Sequence, residues 1–130
     1  MVRTYIVTAL LLAASINIGQ ANELKCAQPG NLEDDACMEL AYREADKALN
    51  SAYKKLMASL PHPNGPRISH GKTFKETLKL SQQAWLKFRD SNCAFEAFPA
   101  SDNPSAYMNS TKFCLIRMTH ERTNELLKNQ

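Results

Sequence analysis

The chain has 130 residues, with 16 basic and 13 acidic side chains and a formal net charge of +3. That length gives one domain and is short for two. So small a positive excess points away from nucleic acid as a partner.

Residues 1–21 read as a secretory signal peptide. Arg3 is a minimal basic start, Tyr5 to Ala14 is apolar, and Gly19-Gln20-Ala21 places small residues before a cut. The apolar run falls short of the ~20 residues that span a bilayer. A lipid anchor at Cys26 is disfavoured, because Glu23-Leu24-Lys25 puts charges where a lipoprotein site takes small apolar residues. No later segment is apolar enough to span, so no stable membrane insertion is expected once the peptide is removed. Residues 22–130 are therefore expected as one exported domain, periplasmic or secreted, with net charge near +2 after Arg3 is lost.

Residues 22–30 read as a polar, irregular N-terminal arm ending in the turn signal Pro29-Gly30. Asn31 suits a helix N-cap, and Glu33, Asp34 and Asp35 favour the positive end of the helix dipole. From Leu32 to about Leu60 there is no Pro or Gly. Met38, Tyr42, Ala45, Leu49, Ala52, Leu56 and Leu60 recur by threes and fours, which predicts a first long helix. Pro61 to Arg67 breaks it, and the connector runs to Lys72. That connector is long for a helical bundle, where loops of about two to eight residues are usual.

Thr73-Phe74-Lys75-Glu76 matches a capping box, so a second helix is predicted from Phe74 to about Phe95. Phe74, Leu78, Ser81, Trp85, Phe88, Asn92 and Phe95 mark its apolar stripe. Trp85, the only tryptophan, and Phe88 are expected as core anchors, because aromatic side chains bury the most area. After the break around Pro99 to Pro104, a third helix starts either at Pro104, capped by Asn103, or near Thr111. It continues to about Leu127 with Leu115, Thr119, Arg122 and Leu126 in one stripe. Strand-like alternation is absent. The expected fold is all-α: a small three-helix up-down-up bundle with an irregular N-terminal arm.

Cys26, Cys37, Cys93 and Cys114 are an even set in a short exported chain, which reads as two disulfides. A metal site is disfavoured: there is no C-x-x-C, and His62, His70 and His120 show no helical pairing. Cys26–Cys37 with Cys93–Cys114 closes short segments and is preferred. Cys37–Cys93 with Cys26–Cys114 also suits antiparallel first and second helices.

No G-x-S-x-G, H-E-x-x-H, phosphate loop or dinucleotide turn occurs. Glu96 with Asp102, or Asp34 with Asp35, would be the carboxylate pairs of a hydrolase, but acidic residues at helix starts and connectors are ordinarily caps and surface charge. No enzyme and no cofactor are expected. What stands out is polarity beside the core: Asp46, Asn50, Gln83, Arg89, Asp90 and Arg122. Charges near a small core need partners, so these residues are expected as a structural network in which Asp46 or Asp90 pairs with Arg122 or Arg89. The competing reading makes the same patch a ligand site.

Those residues carry a family resemblance. Cys37, the stretch Ala45-Asp46-Lys47-Ala48-Leu49-Asn50-Ser51-Ala52-Tyr53, and the stretch from Gln83 through Trp85, Phe88, Arg89 and Asp90 to Cys93 are similar to the ordered motifs of the lysozyme inhibitor LprI-like N-terminal domain family. Cys114, Thr119, Arg122 and Leu126 resemble its closing motif, and Gln82 or Gln83 fills the position ahead of Trp85. The resemblance spans nearly all of residues 22–130. It implies a small exported bacterial helical domain, in at least one member an inhibitor of lysozyme.

Three readings of function follow. One is an inhibitor that docks the 61–72 connector into the cleft of lysozyme or another peptidoglycan-cleaving enzyme, with His62, Arg67, His70 and Lys72 facing the cleft's carboxylates. Its charge gives no long-range steering toward basic animal lysozymes. A second is an envelope binding module, such as an immunity protein or accessory subunit. A third, an enzyme, would require a pocket of mutually close groups with shifted pKa values.

Overall fold

The computed structural model describes residues 35–61 and 71–130. The expected signal peptide and N-terminal arm, and most of the first connector, lie outside the described residues. No Pro or Gly interrupts residues 35–59, and there the chain forms α1, Asp35–Ser59, which stops two residues before Pro61. Gly71, at φ 73°, takes the left-handed turn that glycine accepts without a Cβ clash and leads into the cap of the second helix.

The capping box forms. Glu76 N donates to Thr73 Oγ1 at 3.3 Å, and Thr73 N donates back to Glu76 Oε2 at 2.7 Å. From this cap α2 runs Phe74–Glu96, and a 3₁₀ turn at Phe98–Ala100 follows. Of the two expected starts for the third helix, the earlier is found. The Asn103 side chain accepts from Ala106 N, Pro104 takes the first helical position, and α3 is Pro104–Lys128.

Among the described residues there are helices and no strands. None of these helices is long and apolar enough to cross a membrane.

Among the described residues, the third helix packs along both of the others. Toward α1 it presents Ile116 and Leu126, both buried. They meet an α1 face of Met38, Ala41, Ala45, Leu49, Ala52 and Leu56. Three alanines on that face let the two helices pack closely. Toward α2 it presents Cys114 and Met118, which pack with Cys93. Contacts follow the same order along α1 and α3: Lys112 pairs with Glu39 at 3.0 Å near their starts, and Gln130 Nε2 donates to Ala52 O beyond. Along α2 and α3 the order is reversed, with Cys93 on Cys114 at one end and Ser81 on Arg122 at the other.

The Cys93–Cys114 disulfide spans 5.4 Å between Cα atoms. It excludes the Cys37–Cys93 pairing. Among the described residues it is the one disulfide found, against the two expected. Cys37 is not a free thiol, and Cys26 lies outside the described residues.

The inward face of α2 corrects the expected stripe. Gln82, Arg89 and Cys93 are its buried residues, Trp85 is half-buried, and Phe88 is 58% exposed. At 3.6 residues per turn the observed face is turned by roughly 80° from the expected one. Phe88 is therefore not a core anchor. Trp85 packs against both the Leu49–Leu56–Leu126 cluster and the Cys93–Cys114–Met118 cluster.

Candidate functional site

The rotation of α2 brings two arginines against a single indole. Arg89 is 5% exposed. Its guanidinium lies 5.4 Å from the Trp85 ring and 6.0 Å from the Tyr42 ring, so all three helices meet around one cation. Nη1 donates to Oγ1 of the fully buried Thr119 at 3.2 Å. Nε and Nη2 both donate to Asp90 Oδ1, at 2.9 and 2.8 Å. The Asp90 carboxylate faces water while its partner does not. A guanidinium with this fork is suited to such a post, because it holds several acceptors and a ring face at once.

Arg122 lies 5.9 Å from the same indole. Its Nε donates to Gln82 Oε1 at 3.1 Å, Nη2 to Ser81 Oγ at 3.2 Å, and Nη1 to Glu125 Oε2 at 2.9 Å. The result is a clamp. Gln82, Trp85 and Arg89 on α2 lock onto Thr119 and Arg122 on α3, with Tyr42 closing it from α1.

Of the residues singled out from sequence, Arg89, Asp90 and Arg122 stand in this clamp, and the Arg89–Asp90 pair is one of the pairings considered. Gln83 does not take part. It is exposed, and the buried Gln82 holds Arg122 instead. Asp46 and Asn50 form their own hydrogen bond at 2.9 Å. His62, Arg67 and His70 lie outside the described residues, and Lys72 is exposed. Tyr42 and Thr119 fall in the expected stripes of α1 and α3, and their spacing gives no sign that they are partners of a cation.

Near the far end of the clamp, an open groove of about 370 Å³ is lined by Leu56, Leu60, Phe74, Leu78 and Leu126, with Arg122 and Glu125 among its polar groups. It is bounded by the end of α1 and the start of α2, the two points between which the 61–72 connector runs.

At the opposite end Arg117 covers the disulfide. It donates to Glu96 at 2.8 Å and to Glu121 at 3.4 Å, and its Nη2 sits 3.7 Å from Cys114 Sγ. Partial burial works against the charge, but Glu96 and Glu121 more than offset it, so the guanidinium is held above its ordinary range and stays cationic.

A family model described as "Lysozyme inhibitor LprI" matches residues 25–126, which takes in every clamp residue and the disulfide. An uncharacterised protein of Rhizobium meliloti (strain 1021) is 30% identical over 93 residues, covering 69% of this chain and 66% of that protein. No solved structure gives a significant match.

Proposed function

The chain belongs to the lysozyme inhibitor LprI family, and from that premise we propose that it is an exported, non-catalytic protein that binds and blocks a peptidoglycan-cleaving enzyme. The family match carries this reading, because it takes in α1, α2 and all but the last two residues of α3.

Export rests on the signal-peptide pattern in residues 1–21 and would deliver the protein to the periplasm or the medium. The described contacts support an up-down-up bundle as the scaffold. In this scaffold the Arg89–Trp85–Arg122 clamp sets the register of the helices and leaves binding to the surface.

The docking end, on this reading, is where the 61–72 connector leaves α1 and enters α2. His62, Arg67, His70 and Lys72 supply cationic or hydrogen-bonding groups for the carboxylates of a muramidase cleft. The neighbouring apolar groove supplies non-polar contact.

The test is lysozyme activity in the presence of purified residues 22–130 at low and moderate salt. A fall in rate at micromolar excess supports inhibition. An undiminished rate at both salts overturns it and leaves an envelope partner as the target to seek.

A further inference from the structure

The charges of α2 run against its own dipole. A helix N-terminus favours carboxylates, and a C-terminus favours cations. Yet Lys72 stands just before the Thr73 cap, Lys75 lies in the first turn and Lys79 in the second. Glu76 is the one acid among them, and the capping box takes it up. At the other end α2 has no basic residue in its last turn and closes on Glu96. Stability of the helix itself does not account for cations at its positive end.

Because α2 runs opposite to α1 and α3, these lysines meet others at one end of the bundle. Lys54 and Lys55 lie in the last two turns of α1, and Lys128 closes α3. Five of the six lysines are exposed, and Lys75 is partly so. None of them forms an ion pair among the described residues. The opposite end differs: Lys112 holds Glu39, Arg117 holds Glu96 and Arg89 holds Asp90. One end therefore cancels much of its charge in pairs, while the other leaves six cations open. The formal net charge of +3 hides that polarity.

The open end also holds the groove of about 370 Å³ lined by Leu56, Leu60, Phe74 and Leu78. Lysines alone would suit any polyanion. An apolar recess beside them calls for a partner that brings an apolar side chain as well as carboxylates, and folded protein surfaces offer both. A bilayer is entered by protruding apolar groups and not by a recess.

We propose, on the inhibitor reading, that the enzyme met by this end is acidic: a peptidoglycan-cleaving enzyme with carboxylates around its cleft and an apolar side chain that seats in the groove. Charge then selects among such enzymes. Attraction to an acidic rim raises the encounter rate by about 10- to 1000-fold at low salt and orients the lysine-bearing end toward it. A basic lysozyme meets repulsion at the same end.

The test mixes residues 22–130 with two muramidases, one of acidic and one of basic isoelectric point, and follows association and inhibition together. At about 20 mM salt the acidic enzyme is expected to associate at least about tenfold faster than the basic one, an advantage largely screened at about 200 mM. Lys54→Glu combined with Lys79→Glu, both at exposed positions, is expected to slow association with the acidic enzyme about tenfold at an unchanged urea midpoint. Asp102→Lys, at the opposite end, is expected to change it by less than about twofold. Equal association rates for the two enzymes overturn the charge selection and leave inhibition standing. So does an acidic-enzyme rate that the paired lysine reversal does not change. Inhibition of neither enzyme overturns the inhibitor reading, and the selection falls with it. Lysine-dependent binding to phosphatidylglycerol vesicles, with none to the acidic enzyme, overturns it in favour of a membrane surface.

Discussion

Replacing Arg89 by alanine removes a buried side chain whose partners come from all three helices. The two methylenes beyond Cβ are buried with the guanidinium, and at about 0.8 kcal/mol per methylene their loss costs about 1.6 kcal/mol. Two ring contacts go with them, at about 0.5–1 kcal/mol each. The bond to Thr119, fully buried, goes as well, for about 1.5–3 kcal/mol. Against these losses stands the relief of a desolvated cation, worth several kcal/mol. The net expectation is a destabilisation of about 2–4 kcal/mol.

For a domain of this size a urea slope of about 1–2 kcal/mol/M turns that into a midpoint lower by about 1 M or more. Arg89→Met is the companion variant. It keeps a buried chain of similar length and removes the charge, so it is expected to cost about 1 kcal/mol, chiefly through the Thr119 hydroxyl left without its donor. Urea unfolding followed by Trp85 fluorescence and by far-UV circular dichroism reads both variants. An Arg89→Ala midpoint within about 0.3 M of wild type would refute the clamp as the element that holds the helices in register.

Further expectations concern the same framework. Gln82→Ala strips an acceptor from Arg122 and is expected to cost about 1–2 kcal/mol, whereas Gln83→Ala, at an exposed position, stays within about 0.5 kcal/mol; equal effects in thermal unfolding would contradict the assignment. Breaking Cys93–Cys114 by a paired Cys→Ala replacement is expected to cost about 3 kcal/mol, because a 21-residue separation is released in the unfolded chain. Thr73→Ala removes the cap that holds Glu76 N and is expected to cost about 1 kcal/mol, measured as a lower melting temperature with lost protection of the first turn of α2 in hydrogen exchange.

How far the sequence discloses this structure depends on which helix is considered. For α1 the apolar spacing suffices: five of the seven stripe residues, Met38, Ala45, Leu49, Ala52 and Leu56, are buried as their period implies. The capping box at Thr73 and the Asn103-Pro104 start are local signals, and local chemistry fixes them. For α2 the hydrophobic rule misleads, since its inward face holds Gln82 and Arg89 while Phe88 and Phe95 face out. A cation satisfied by Thr119, Asp90 and two rings costs less to bury than its formula suggests, and partners that distant in sequence are invisible to a local pattern.

One signal was nevertheless present. Once Cys93 is bonded to Cys114 it must face α3, and positions four, seven and eleven residues earlier, Arg89, Leu86 and Gln82, share that face. For α3 the expected stripe held Thr119 and Leu126 but missed Ile116 and Thr123. A helix that packs along both of the others buries a wide sector, which a single stripe does not describe. Nothing local in the sequence tells Gln82 from Gln83; only the position of Arg122 does.

On the proposed function, the protein acts by occupying another protein's cleft. Calorimetric titration of residues 22–130 into a peptidoglycan-cleaving lysozyme tests it most directly, run with and without a soluble wall fragment that fills the cleft. Saturable binding at one inhibitor per enzyme, weakened when the fragment is present, is the expected result. Heats no larger than dilution at every ratio, or hydrolysis of the fragment by residues 22–130 alone, would contradict it.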